Sequence, residues 1–235
     1  MVGKIKWMCV MLTVRSPTLF YFIFARMSLT HIQQLLLAGE SETLDFKQTI
    51  SSAAKIAKTM SAFANHKGGT LLVGVTDKKM ICGIQSEDEK YMLDMAARFY
   101  CKPEIAIEIK EWEIGNKVVL EAFIPEGEHK PYYAKDDTGK WWAHIRVKDQ
   151  SLLASKVVVD VLKRQHSLRG TVIQYTDKEK DLLKFIETKG KVTLKEVCKL
   201  LNISRWRAQK MLVNLVSVGV IRSHTTEKTE FFTLS

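Results

Sequence analysis

One segment, residues 50–77, constrains this chain more than any other. Ala53, Ile56, Ala57, Met60 and Phe63 recur at steps of three and four, which predicts an amphipathic helix over residues 50–64. Asn65-His66-Lys67-Gly68-Gly69 ends it, because Asn and Gly accept the left-handed backbone that closes a helix. Residues 70–75 then form a continuous apolar run, which reads as a strand buried on both faces. Such a strand needs cover on each side.

The surrounding sequence extends that plan. Thr30 or Ser28 caps a helix carrying Ile32, Leu35 and Leu36 that stops at Gly39. Residues 43–47 read as a short extended piece, with Leu44 and Phe46 on one face and Asp45 and Lys47 on the other. Lys78-Lys79 makes a turn and residues 80–84 read as a returning strand. Ser86 caps a helix with Glu87, Asp88 and Glu89 in its first turn, where the helix dipole favours acids. Residues 105–112 and 117–124 flank Ile114-Gly115-Asn116 as a hairpin, and residues 141–147 alternate as a strand. Trp112, Trp141 and Trp142 could stack on bases, but alternation within strands favours core positions for Trp112 and Trp142. Residues 151–168 read as a helix, and Arg169-Gly170 is the natural boundary.

After Tyr175 the pattern changes. Helices are expected over residues 177–187 and 194–201, the second stopped at Asn202, and Ser204 caps a third that runs to Val216. Residues 220–223 and 230–233 flank Thr225-Thr226-Glu227-Lys228 as a terminal hairpin. Three helices and a hairpin in about sixty residues is the plan of a winged helix-turn-helix. The organisation is therefore an N-terminal extension over 1–27, a mixed-sheet domain over 28–170 and a winged helix over 171–235.

Charge points toward partners. The 235 residues carry a net charge of +10, with 46% apolar and 26% charged residues, a composition that excludes wholesale disorder. Residues 176–235 hold twelve basic and seven acidic side chains, whereas residues 28–175 are nearly neutral. The expected helix after Asn202-Ile203 presents Ser204, Arg205, Trp206, Arg207, Gln209 and Lys210, and the hairpin presents His224 and Lys228. Arg forms bidentate bonds with phosphate or guanine and Gln reads adenine, so this face is the candidate nucleic-acid contact. The competing reading is a solvated face on a protein-docking module. Residues 1–27 carry four basic residues and no acid, with two short apolar runs broken by Arg15 and Pro17. Two readings stay open: a start placed too early, with Met27 as initiator, or a short membrane-associating tail. Cys9, Cys82, Cys101 and Cys198 show no zinc-ligand spacing and read as scattered reduced thiols in a cytoplasmic protein.

Several separated motifs carry a family resemblance. Glu40-Ser41, Asp45-Phe46-Lys47, Ser61-Ala62-Phe63-Ala64-Asn65, Gly68-Gly69-Thr70-Leu71-Leu72-Val73-Gly74-Val75-Thr76-Asp77, Ile81-Cys82-Gly83, Lys130-Pro131-Tyr132-Tyr133 and Ile145-Arg146-Val147 stand in the order seen in Schlafen AlbA-like domains. The segment resembles that family over roughly residues 40–150. The resemblance implies an α+β mixed sheet with a winged helix behind it, a DNA-binding transcriptional regulator and a homodimer; some members are described as ATP-binding. Vertebrate relatives that cleave RNA imply a second expectation: Glu40, Asp45 and Asp77 as three carboxylates holding Mg²⁺ or Mn²⁺, with Lys47 beside them. Asp45 stands where the family usually has Glu, one methylene longer. Clustered carboxylates can hold a metal that activates water; the alternative is surface ion pairs worth about 0–1 kcal/mol. ATP is not supported by a phosphate loop, since no GxxxxGK[ST] occurs and Gly68-Gly69 precedes a strand rather than a helix. No HExxH or GxSxG pattern occurs either.

Overall fold

The computed structural model describes residues 30–165 and 175–235. The expectations for residues 1–27 and for a boundary at Arg169-Gly170 lie outside the described residues. The chain divides into a unit ending at Ala38 and a unit from Gly39 to Ser235. In the first, helix α1 (His31–Ala38) begins at Thr30, whose Oγ1 accepts the Gln33 N–H while Gln33 Oε1 accepts the Thr30 N–H.

In the second unit the elements run β1 (Leu44–Lys47), α2 (Ala53–Ala64), β2 (Gly69–Val73), α3 (Asp88–Phe99), β3 (Cys101–Lys102), β4 (Glu108–Ile114), β5 (Lys117–Ile124), β6 (Tyr133–Lys135), β7 (Trp141–Val147), β8 (Gln150–Leu153) and α4 (Lys156–Gln165), then α5 (Asp177–Lys189), α6 (Leu194–Leu201), α7 (Arg205–Ser217), β9 (Ile221–Thr225) and β10 (Glu230–Leu234). One sheet has the order β1-β2-β5-β4, with β1 parallel to β2 and the remaining pairs antiparallel. A second, antiparallel sheet has the order β3-β6-β7-β8. This is the mixed α+β architecture expected from the sequence.

Helix α2 joins the two sheets. It is the crossover between the parallel strands β1 and β2, and it also packs on β5, β6, β7 and α3. Nine of its twelve residues are buried, more than a single apolar stripe would hide. Met60 and Phe63 share one buried cluster with Leu71, Val73, Leu120, Ile124, Tyr132 and Ala134. The turn behind α2 explains the glycine pair. Gly68 sits at φ +73°, and a Cβ there would stand 2.7 Å from both Glu126 N and Ile124 O. A Cβ on Gly69 would lie 2.5 Å from the Phe63 ring. The pair lets helix and strand touch, as a tight packing turn requires.

Two local expectations are corrected. Residues 80–84 do not form a strand; only a single bridge joins Val75 and Ile81, because Cys82 N–H and Gly83 N–H both turn back onto the Gly74 carbonyl. Residues 151–153 are not helical either. Leu152 and Leu153 belong to β8, paired with Ile145 and His144, and the helix begins only at Lys156. Apolar runs this short do not distinguish strand from helix by periodicity.

The C-terminal part gathers α5, α6, α7 and the β9–β10 hairpin around Leu182, Ile186, Val197, Leu212, Leu215, Ile221 and Phe232. Helix α4 joins this cluster through Val157 and Val161, packing along α7.

Candidate nucleic-acid interface

Helix α7 starts from a sharply defined turn. Asn202 closes α6 in the left-handed conformation, φ 47° and ψ 52°, and its N–H donates to the Cys198 carbonyl. Ser204 then caps α7, its Oγ accepting the Arg207 N–H. The Ser204 hydroxyl thus fixes the helix start, beside its expected place in the contact face. Arg205, Trp206, Arg207 and Lys210 are exposed and Gln209 is half-buried, while Ala208, Met211, Leu212 and Leu215 turn inward. Trp206 is 66% exposed, and Lys210 Nζ lies 5.3 Å above its ring. An aromatic face orders the ammonium group without neutralising it. Arg205 also lines a depression with Lys195 from the first turn of α6 and Thr229 from the hairpin.

The hairpin is braced. Thr226 Oγ1 bonds Thr229 N–H and C=O across the turn, and Glu227 accepts a bond from Gln150 Nε2 at 3.0 Å. Glu230 Oε1 accepts from Ser155 and Ser223 at 2.7 and 3.0 Å. Lys228 stays exposed at the tip. His224 stacks on Phe231, with ring centroids 5.0 Å apart.

The carboxylates of the other expected site are placed differently. Glu40 and Asp45 come together: Glu40 Oε1 accepts the Phe46 N–H at 2.9 Å, and the Glu40 carboxyl is held above its ordinary pKa by burial, with Asp45 adding to the effect. Asp45 is only 4% exposed. Lys47 Nζ lies 2.7 Å from Asp45 Oδ2, and Arg146 NH1 lies 3.6 Å from Oδ1. The lysine donates its well-directed bond to the Phe46 carbonyl instead, so Asp45 Oδ2 receives charge without an aligned hydrogen bond. Asp77 is exposed in the turn after Thr76. Among the described residues no three His, Cys, Asp or Glu side chains are grouped so as to hold a metal ion, so Asp77 does not join the Glu40–Asp45 pair.

Three interior polar residues were not among the expected site residues, although Asn65 and Arg146 stand in the family motifs. Arg146 is 5% exposed; its guanidinium donates to the Ser41 carbonyl at 2.7 Å and lies 4.7 Å over the Phe63 ring. Asn65, taken from sequence as a helix end alone, also donates to the Tyr132 and His144 carbonyls at 2.8 and 2.9 Å and accepts the Tyr132 N–H at 2.7 Å. His144 has its pKa pushed down to about 4, by burial first and by Lys58 second. The available signal was His144 and Arg146 two apart in an alternating strand, hence on one face. Trp142 shares that parity but is 44% exposed, because it lies at the strand end and its Nε1–H donates to Asp136 Oδ2. Trp112 is half-buried and donates to Glu121.

Residues 40–155 match the family model described as Schlafen, AlbA_2. The AlbA_2 match ends one residue before α4, so it covers both four-stranded sheets and α2 and α3 but none of the elements from α4 onward. Among solved structures, a protein from Corynebacterium diphtheriae aligns at 17% identity with a TM-score of 0.42 over 65% of this chain and 31% of that one. This chain thus spans about a third of that protein's length. The N-terminal domain of a protein from Nitrosomonas europaea, described as related to the ATP-dependent DNA helicase RecG, aligns at 25% identity with a TM-score of 0.37 over 55% of this chain and 97% of that domain. No curated protein matches the chain. Among the described residues no helix is long and apolar enough to cross a membrane.

Proposed function

We propose that this chain binds DNA as a transcriptional regulator, with α5, α6, α7 and the β9–β10 hairpin acting as a winged helix-turn-helix. The observation that carries the reading is the start of α7. Three cations, Arg205, Arg207 and Lys210, stand exposed on the first two turns of a helix whose opposite face is fully packed. A helix entering the major groove presents its N-terminal residues to base edges and phosphates. The left-handed turn at Asn202 and the Ser204 cap hold that end rigid, so little ordering entropy opposes contact. Gln209 completes the reading face, and Lys228 on the braced hairpin reaches a flanking phosphate. A homodimer would present two such helices to two half-sites.

The Glu40–Asp45 pair, one half-buried and one buried, does not favour metal-dependent RNA cleavage as a second reading. Arg146 and Lys47 already supply the positive charge beside Asp45, and Asp45 is tied into the interior. A docking module for another protein remains distinguishable by experiment. Replacing Arg205 and Arg207 with Ala and titrating a labelled duplex against salt should weaken binding and lower the salt slope by about 1.8, at about 0.9 for each lost phosphate contact. An unchanged affinity and slope would remove α7 from the interface, and no duplex binding by the parent chain at moderate salt would favour the docking module.

A further inference from the structure

A cleft lies between the AlbA_2 region and the C-terminal hairpin. One wall is the turn after α2 and the strand β7; the other is formed by α4, the end of α7 and β9. Its rim is cationic. Lys67, in the turn behind α2, and Arg222, on β9, are both exposed, and among the described residues neither takes part in an ion pair. The same lining is apolar and aromatic elsewhere: it includes Val158 and Leu162 of α4 and the stacked His224–Phe231 pair. The acid on the lining, Glu42, lies 3.3 Å from His66 Nε2 and is outnumbered by the lining cations Lys67, Lys130, Arg146 and Arg222.

A cationic rim over an apolar and aromatic floor selects among polyanions. A duplex offers phosphates outside and keeps its bases stacked within, so it satisfies the rim and leaves the floor unused. A single strand offers phosphates and free base faces together, the combination that single-strand grooves engage. We propose that this cleft binds single-stranded nucleic acid, with Lys67 and Arg222 on its phosphates and a base against the His224–Phe231 stack. The site is separate from the duplex surface of α7. Val216 and Gly219 bring the far end of that helix to the cleft, and Arg205 lies at its other end, about 18 Å away at 1.5 Å per residue. The inference shares with the proposed function only the class of ligand.

The test is a set of anisotropy titrations on the full chain with three probes: oligo-dT and oligo-rU of about twelve nucleotides, a length within the range of known single-strand sites, and a duplex. The expected result is strand binding by the parent chain that weakens in the Lys67→Ala/Arg222→Ala variant. Its salt slope should fall by about 1.4, at about 0.7 for each lost contact to a single strand. Duplex affinity should be unchanged, and Lys67→Arg/Arg222→Lys should retain strand binding. The dT and rU arms tell DNA from RNA. An unchanged strand affinity in the Ala variant would overturn the proposal, as would failure of the parent chain to bind either strand. Loss of strand binding in Arg205→Ala/Arg207→Ala, with none in the cleft variant, would place the strand on α7 instead. A duplex loss confined to the α7 variant leaves that reading intact whatever the strand probes report, so the two claims fail separately.

Discussion

His144 is a base kept neutral by its surroundings, and that has a cost at low pH. It is 7% exposed, its Nδ1 lies 3.5 Å from Ser61 Oγ, and its pKa stands at about 4 against an ordinary 6.5. The unfolded chain takes up the proton below pH 6.5, whereas the folded chain refuses it until about pH 4. Stability conferred by the neutral ring is therefore complete above pH 6.5 and lost as pH falls through that window. Between pH 7 and pH 5 the loss should be about 2 kcal/mol, at about 1.4 kcal/mol per unit. Urea unfolding at the two pH values should show this loss in the parent chain and a loss smaller by that amount in His144→Gln; identical pH dependence would remove His144 from the account. These interior polar residues were hard to read in the sequence for a physical reason. Polar groups buried in pairs satisfy one another across long chain separations: Arg146 meets Ser41, and Asn65 meets Tyr132 and His144. Local pattern carries no record of such partners. The exposure of the α7 arginines was legible because it follows from spacing within a single helix.

At the scale of elements, the glycine turn between α2 and β2 sets how closely a helix and a strand approach. Two effects act at Gly68, the left-handed backbone and the collision of any Cβ with the backbone of residues 124–126. Gly190, which ends α5 at φ +83°, has the first effect without the second, since nothing lies within 4 Å of its would-be Cβ. Gly190→Ala should cost about 1 kcal/mol, the strain of a left-handed residue. Gly68→Ala should cost that and about 1–3 kcal/mol more from overpacking against atoms that cannot rotate away. Equal shifts in urea midpoint for the two variants would show that close approach contributes nothing. The turn, α2 and β2 were legible because helix period, Gly-Gly punctuation and an apolar run agree there. The elements misread, residues 80–84 and 151–153, are short apolar stretches whose conformation is decided by pairing partners elsewhere: the Gly74 carbonyl in one case, β7 in the other.

For the whole molecule, the question is what couples the AlbA_2 region to the C-terminal helices. The side-chain bonds between them, Gln150 to Glu227 and Ser155 to Glu230, are exposed or half-buried, and contacts of that kind contribute about 0–1 kcal/mol each. Helix α4 contributes more. It follows directly on the AlbA_2 match, yet Val157 and Val161, 1% and 8% exposed, are packed in the C-terminal cluster. Burying a valine stabilises by about 1.5–3 kcal/mol, so α4 supplies about 3–6 kcal/mol to a core of only about sixty further residues, a size at which stability is marginal. The C-terminal part is therefore a four-helix unit that includes α4, and its cooperative fold should begin near Ser155. A fragment of residues 155–235 should melt cooperatively by circular dichroism, whereas one of residues 175–235 should lack a cooperative transition or melt far lower. Matching midpoints for the two fragments would mean that α4 merely rests on a core already complete without it. If the longer fragment folds, its duplex affinity can be tested without the AlbA_2 region, which removes Lys67 and the β7 wall of the cleft while keeping Arg222 and the His224–Phe231 pair.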